Sequence, residues 1–197
     1  MPPSAIQQPT RAGRRDAVRN YHRILDAARE VLGESGAQAS MEEIAARAGV
    51  GIGTVYRKFA SKDALIDELL RLATEQLATA AEQALARTDG HGLEQFLRAL
   101  GRSFADHARY ANLLLERPAD PAASRRIRAA IGELAARAAA AGTVDPGITA
   151  DDVMALMRAM RGLIQAAGEP PGWQRFLDIH LAGMRSSAAA RTRSARR

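Results

Sequence analysis

Apolar residues along this chain recur at intervals of three and four and almost nowhere alternate, which predicts helices throughout. From about Asp16 to Ser35 the residues Tyr21, Ile24, Leu25, Ala28, Val31 and Leu32 form one face, and Gly36 closes the helix. Ser40 followed by Glu43 has the spacing of a capping box and places the next helix start at Met41. Ile44, Ala45 and Ala48 form its inner face. Gly49 breaks it, because glycine takes the positive φ that ends a helix at little steric cost. Val50 is expected to plug the turn. Gly51 to Phe59 then reads as a second short helix with Val55 and Phe59 turned inward, leaving Ile52, Thr54, Arg57 and Lys58 on the exposed side. Ser61 caps a long fourth helix, in which Leu65, Leu69, Leu72, Ala73 and Leu77 keep the inward spacing to about Arg87.

Asp89-Gly90-His91-Gly92 is a break. Beyond it, Leu93, Phe96, Leu97, Leu100, Phe104 and His107 share a stripe, and a short segment from Tyr110 to Glu116 stops at Pro118. A loop over ADPAAS (119–124) leads to a helix carrying Ile127, Ile131, Leu134 and Ala138. Thr149 with Asp152 opens another, whose stripe is Val153, Leu156, Met157, Met160, Leu163, Ile164 and Ala167. After a Pro/Gly turn at Gly168–Gly172, Trp173, Phe176, Leu177, His180, Leu181 and Met184 repeat the offsets. Two such helices make an antiparallel hairpin. It admits two readings: packing inside one chain, or meeting its copy in a dimer built on Leu156, Leu163, Trp173, Phe176, Leu177, His180, Leu181 and Met184. The prediction is an all-α chain of about nine helices. Residues 1–15 are expected as a disordered basic arm, 16–62 as a helical head, 63–184 as a larger helical domain, and 185–197 as a disordered basic tail.

A helix pair joined by a three- or four-residue turn is a helix-turn-helix, whose second helix enters the DNA major groove. Charge placement agrees. Residues 1–62 hold ten Lys/Arg against six Asp/Glu, residues 63–184 thirteen against sixteen, and residues 185–197 five against none. A basic front behind an acidic middle suits a molecule that meets nucleic acid with one end. Hydrophobic residues make up 47% and aromatics 4%, and the chain holds no cysteine, which removes disulfides, zinc fingers and thiol chemistry. No run of about 18 apolar residues is present to span a membrane, and the N-terminus lacks a signal-peptide core, so a cytoplasmic location is expected.

The four histidines, His22, His91, His107 and His180, neither pair at helical spacing nor sit among acids, so no metal and no cofactor is expected. No nucleophile–base pair or phosphate loop stands out, and the chain is not expected to be an enzyme. The Gly49-Val-Gly-Ile-Gly53 run follows a helix instead of a strand and is no nucleotide fingerprint. His107 has two readings: a core histidine with one hydrogen bond, or a polar anchor in a ligand pocket with Phe104, Met157 and Met160.

Residues 21–69 contain RILDAAREVLGESGAQASMEEIAARAGVGIGTVYRKFASKDALIDEL. This run resembles the reading head of the tetracycline-repressor (TetR) family of transcriptional regulators. ILDAA, EIAARAGV, GTVYRKF and SKDAL match in order, while the rest matches only in kind. The resemblance implies a homodimeric repressor on a palindromic double-stranded DNA operator, released by a small molecule bound in the C-terminal helical domain, with no membrane partner. It implies that Thr54 and Tyr56 meet phosphates or base edges, and that Lys62 and Ser40 meet phosphates. Gly51 and Ile52 replace a polar pair common in the family, leaving Arg57 and Lys58 more of the work. Arginine bonds guanine in bidentate fashion, and Ile52 suits a thymine methyl. Packing readings stay open for Tyr56 and Ile52. Other functions to weigh are an architectural DNA-binding protein without ligand control and a TetR-like activator that senses a protein partner.

Overall fold

In the computed structural model, which describes residues 11–115, 121–166 and 172–194, every regular element is helical. The chain divides into two units, residues 1–69 and 70–197.

The first unit contains α1 (Arg11–Ser35), α2 (Met41–Ala48), α3 (Ile52–Lys58) and the opening turns of α4 (Lys62–Leu85). Helix α1 begins at Arg11, so Arg11 to Arg15, expected in the disordered arm, lie in a helix. Alanine and arginine are strong helix formers and extend it without needing an apolar stripe. The remainder of the expected arm lies outside the described residues. Ile24, Leu25, Ala28, Val31 and Leu32 of α1 are buried with Ile44, Ala45 and Ala48 of α2, Val55 of α3 and Leu65 and Leu69 of α4. Burying this much aliphatic surface, at about 25 cal/mol per Å², is what holds short helices that would be marginal alone. Arg47 on α2 bridges Glu30 and Glu34 on α1 at 3.0 and 2.8 Å, and those two carboxylates hold its guanidinium more firmly protonated than usual. All three groups are well exposed, so this clamp sets register more than stability.

The second unit packs α5 (Gly92–His107), α6 (Ala111–Leu115), α7 (Pro121–Ala140), α8 (Ala150–Ala166) and α9 (Trp173–Ser194) with the later turns of α4. Its core joins Leu93, Phe96, Leu97 and Leu100 of α5 to Ile131 and Leu134 of α7, Val153 and Met160 of α8, and Leu177 and Leu181 of α9. Helix α7 starts at Pro121 instead of after Ser124, and its Ala123 is buried. Proline suits a first helical turn because its missing N–H has no intrahelical partner there. Helix α9 runs on to Ser194, so the tail expected to be disordered from Arg185 is helical to that point. Its alanines and arginines favour helix on propensity alone. The Pro/Gly turn predicted at 168–172 lies outside the described residues except for Gly172.

Two contacts seat α9. Gly101 on α5 lies so close to Trp173 that a Cβ there would come within 2.3 Å of the indole ring. Arg98 on α5 donates to Asp178 on α9 at 2.8 Å and to Glu94 at 2.9 Å, while Arg185 pairs with Glu94. The loop before α8 is pinned by the Thr143 hydroxyl, which donates to the Gly90 carbonyl at 2.8 Å, and by the Asp145 amide, which donates to the Met184 carbonyl at 2.9 Å. Among the described residues no helix is long and apolar enough to cross a membrane, and no group of three His, Cys, Asp or Glu is placed to hold a metal ion.

Candidate nucleic-acid interface and ligand cavity

The geometry of the head follows from its caps. The Ser40 hydroxyl accepts from the Glu43 amide at 3.1 Å, and the Glu43 carboxylate accepts from the Ser40 amide at 2.9 Å, so both orphan donors at the start of α2 are satisfied. At the other end Gly49 has φ +62°, and the amides of Gly49 and Val50 donate back to Ala46 and Ala45 at 3.1 Å each. That is a Schellman closure, which reverses the chain within the turn and fixes where α3 begins. Val50 is half-buried instead of fully enclosed.

Helix α3 is held from beneath by Val55, fully buried, and by Phe59, on which Tyr21 stacks with ring centroids 5.9 Å apart. Its outer face is open. Ile52 is 38% exposed and Tyr56 47%, and Arg57 and Lys58 are exposed with them. The packing readings of Tyr56 and Ile52 thus give way to open positions. Thr54 is half-buried, and its hydroxyl accepts from the Arg57 guanidinium at 3.1 Å. The two cations of the last turn also complement the negative end of the helix dipole.

Two residues assigned to phosphates by resemblance already have protein partners. Ser40 is the cap just described. Lys62 donates through Nζ to the carbonyls of Ala37 at 2.7 Å and Ala39 at 3.0 Å. It therefore ties the start of α4 to the connection between α1 and α2. Sequence spacing gave no sign of this, because those carbonyls stand free only once the 3-10 turn Gly36–Gln38 has formed.

In the second unit a cavity of about 190 Å³ opens between α4, α5, α6 and α8. Leu70, Ala73, Thr74 and Leu77 line it from α4, Leu100, Ser103, Phe104 and His107 from α5, Ala111 and Leu114 from α6, and Arg161, Ile164 and Gln165 from α8. Of the residues expected to gather at a pocket, Phe104 and His107 line it. Met157 and Met160 do not; both are buried in the core of the bundle. The polar side of α8 was not anticipated. Arg161, Ile164 and Gln165 share one helix face at i, i+3 and i+4. Arg161 is half-buried, and the Gln165 amide nitrogen is buried with no hydrogen-bond partner. His107 directs Nδ1 at the Ser103 carbonyl, so Nδ1 carries the proton.

The α8–α9 hairpin divides its apolar residues between inside and outside. Leu156, Trp173, Leu177, Leu181 and Met184 are buried within the chain's own bundle. Outside remain Leu163 at 39% exposure and Ile179 at 54%, with the half-buried Phe176 and the exposed His180. The Phe176 and His180 rings lie 4.1 Å apart, and His180 Nδ1 donates to the Phe176 carbonyl at 2.8 Å. Ile179 belongs to this face and was missed, because it falls between the positions of the inward stripe.

Two family descriptions match the chain. Residues 24–69 match the bacterial regulatory proteins of the tetR family, and residues 88–186 match the C-terminal domain of SbtR-like transcriptional regulators. A TetR transcription regulatory protein from Mycobacterium vanbaalenii is 31% identical; the match covers 87% of this chain and 98% of that one, with a TM-score of 0.65. The TetR transcriptional regulator SCO0520 from Streptomyces coelicolor is 29% identical over 83% of this chain and 97% of its own, with a TM-score of 0.64. The TetR family regulator PfmR from Thermus thermophilus, 22% identical over 81% of this chain and 97% of its own, shares the fold at a TM-score of 0.66.

Proposed function

The chain belongs to the TetR family of DNA-binding transcriptional regulators, and from that premise we propose a homodimeric repressor that leaves its operator when a small molecule fills the α4–α8 cavity. The observation that carries the DNA reading is the division of α3. Its Val55 side and the adjoining Phe59 are locked in the core, while Ile52, Tyr56, Arg57 and Lys58 stand clear on the opposite face of a doubly capped motif. Thr54, Tyr56, Lys58 and Lys62 supply phosphate contacts that set position, together with Ser40 at the start of α2, and Arg57 and Ile52 supply base contacts.

The dimer forms on the outward face of the hairpin, where Leu163, Phe176, Ile179 and His180 lie with the exposed small residues Ala155, Ala159 and Gly183. Small side chains let two hairpins approach closely, as in a four-helix packing. Two heads then read one palindrome. Release runs through α4, a single helix from Lys62 to Leu85 whose first turns belong to the head and whose Leu70–Leu77 segment lines the cavity. A ligand that widens the cavity displaces α4 and changes the geometry of the paired heads. Ligand and operator then oppose each other by one coupling free energy.

Selection of bound sequences from a random DNA pool tests this. The expected product is a palindrome, bound by a species of twice the monomer mass in light scattering. Ile179→Glu should yield monomers that bind a half-site weakly. An unenriched pool, bound with equal affinity throughout, would sink the repressor reading in favour of an architectural role.

A further inference from the structure

We infer that the occupant of the α4–α8 cavity is a short amphipathic monocarboxylate, its chain against the leucines and its carboxylate on Arg161 and Gln165; the inference rests on reading this cavity as the effector site. The walls supplied by α4, α5 and α6 are mostly apolar, and no aspartate or glutamate lines the cavity. The Thr74 hydroxyl is already used, donating to the Leu70 carbonyl at 2.8 Å. His107 adds no negative charge in either protonation state. The unsatisfied donors are concentrated on one face of α8. Arg161 has no carboxylate partner among the described residues, and the Gln165 amide nitrogen is buried without an acceptor.

An unpaired guanidinium against apolar walls and a buried amide donor both lack an acceptor, and side chains four apart on a helix reach the same group. A carboxylate meets both needs. It accepts two parallel bonds from the arginine fork and offers further lone pairs to the amide. A ligand ammonium would meet only like charge, and a neutral alcohol would leave most of these donors unmade. Size narrows the class further. At interior packing density, a cavity of about 190 Å³ holds roughly 140 Å³ of ligand, which suits a chain of about eight carbons.

The test is calorimetric titration of the full-length protein, without DNA, with octanoate, 1-octanol and octylamine. Octanoate should bind saturably at one site per chain, at least about tenfold tighter than octanol, with octylamine weakest. Arg161→Met should weaken octanoate about tenfold or more while leaving octanol nearly unchanged, and Gln165→Leu should weaken octanoate by a smaller factor. Octanol or octylamine binding as tightly as octanoate overturns the inference, as does octanoate binding that ignores Arg161→Met or fails to saturate. The three-ligand comparison on the unaltered protein decides the matter even if a variant fails to fold. Tight octanoate binding that leaves the operator complex intact would sink ligand release alone. Failure of octanoate with DNA binding intact would sink only the carboxylate.

Discussion

Replacing Gly101 by alanine tests how α9 is held. Gly101 lies inside α5, where glycine costs about 1 kcal/mol relative to alanine, so propensity alone favours the change. Packing opposes it. The new Cβ would fall 2.3 Å from Cζ3, 2.5 Å from Cε3 and 3.0 Å from Cη2 of Trp173. Carbon contacts are comfortable at about 3.5–4.0 Å, so the ring must retreat by more than 1 Å. Trp173 is 5% exposed and begins α9, so its ring cannot swing out without loosening the helix. Overpacking of this kind costs typically 1–3 kcal/mol, and net of the propensity gain we expect a loss of about 1–2 kcal/mol. Urea unfolding at fixed protein concentration measures it, since a dimer's stability depends on concentration. Trp173 is the chain's one tryptophan, so its emission reports the same contact directly. In a Trp173→Ala background the sign should reverse, with Gly101→Ala stabilising by up to about 1 kcal/mol, because only the propensity term survives. A Gly101→Ala protein as stable as the parent, with unshifted emission, would refute the account.

Three further outcomes are expected. Ser40→Ala removes half of the capping box and should cost about 1 kcal/mol in urea unfolding; no change would mean that Glu43 alone holds the start of α2. In gel shifts, Tyr56→Ala and Lys58→Ala should weaken all sequences alike, with Lys58→Ala also flattening the salt dependence, whereas Arg57→Ala should relax preference at one position of each half-site; three identical profiles would count against α3 as the reading helix. Acid should weaken two junctions. The Arg87 guanidinium and then the His91 amide hold Asp89 down at about 2 from 3.8, and the hydroxyl and then the amide of Thr149 hold Asp152 below its ordinary 3.8. Depressed carboxylates contribute stability that is complete above 3.8 and lost as pH falls towards about 2. Asp152→Asn should therefore be less stable than the parent near neutrality, with the difference closing in strong acid; a constant difference would refute the sign.

Elements whose signal is local were legible from residues alone. The Ser40–Glu43 box, the left-handed Gly49 and the inward pair Val55 and Phe59 each depend on neighbours within one turn, and each stands in the structure as read. Periodicity was a poorer guide where it had to name a partner. A stripe at helical spacing says that a face is covered, not by what. Leu156, Trp173 and Leu177 were therefore assigned to a dimer and are found within the monomer's core. The same habit hid the polar face of the cavity. Met157 and Met160 follow the apolar stripe into the core, while Arg161 and Gln165 stand a step around the helix. Amphipathic reading also undervalued segments with no stripe. Residues 11–15 and 185–194 are helical on alanine and arginine propensity.

The bond between Arg57 and Thr54 bears on how forgiving each head is. Arg57 approaches DNA already satisfied by the Thr54 hydroxyl, 3.1 Å away on its own helix. Where a guanine is offered, the arginine exchanges that bond for two on the base and releases the hydroxyl to a phosphate. Where another base stands, the arginine keeps its neighbour and nothing is stranded. The usual penalty for a mismatch, a buried donor with no acceptor, is thereby softened. One head alone would tolerate a loose family of half-sites, and discrimination would come from the demand that two heads agree across a fixed spacing.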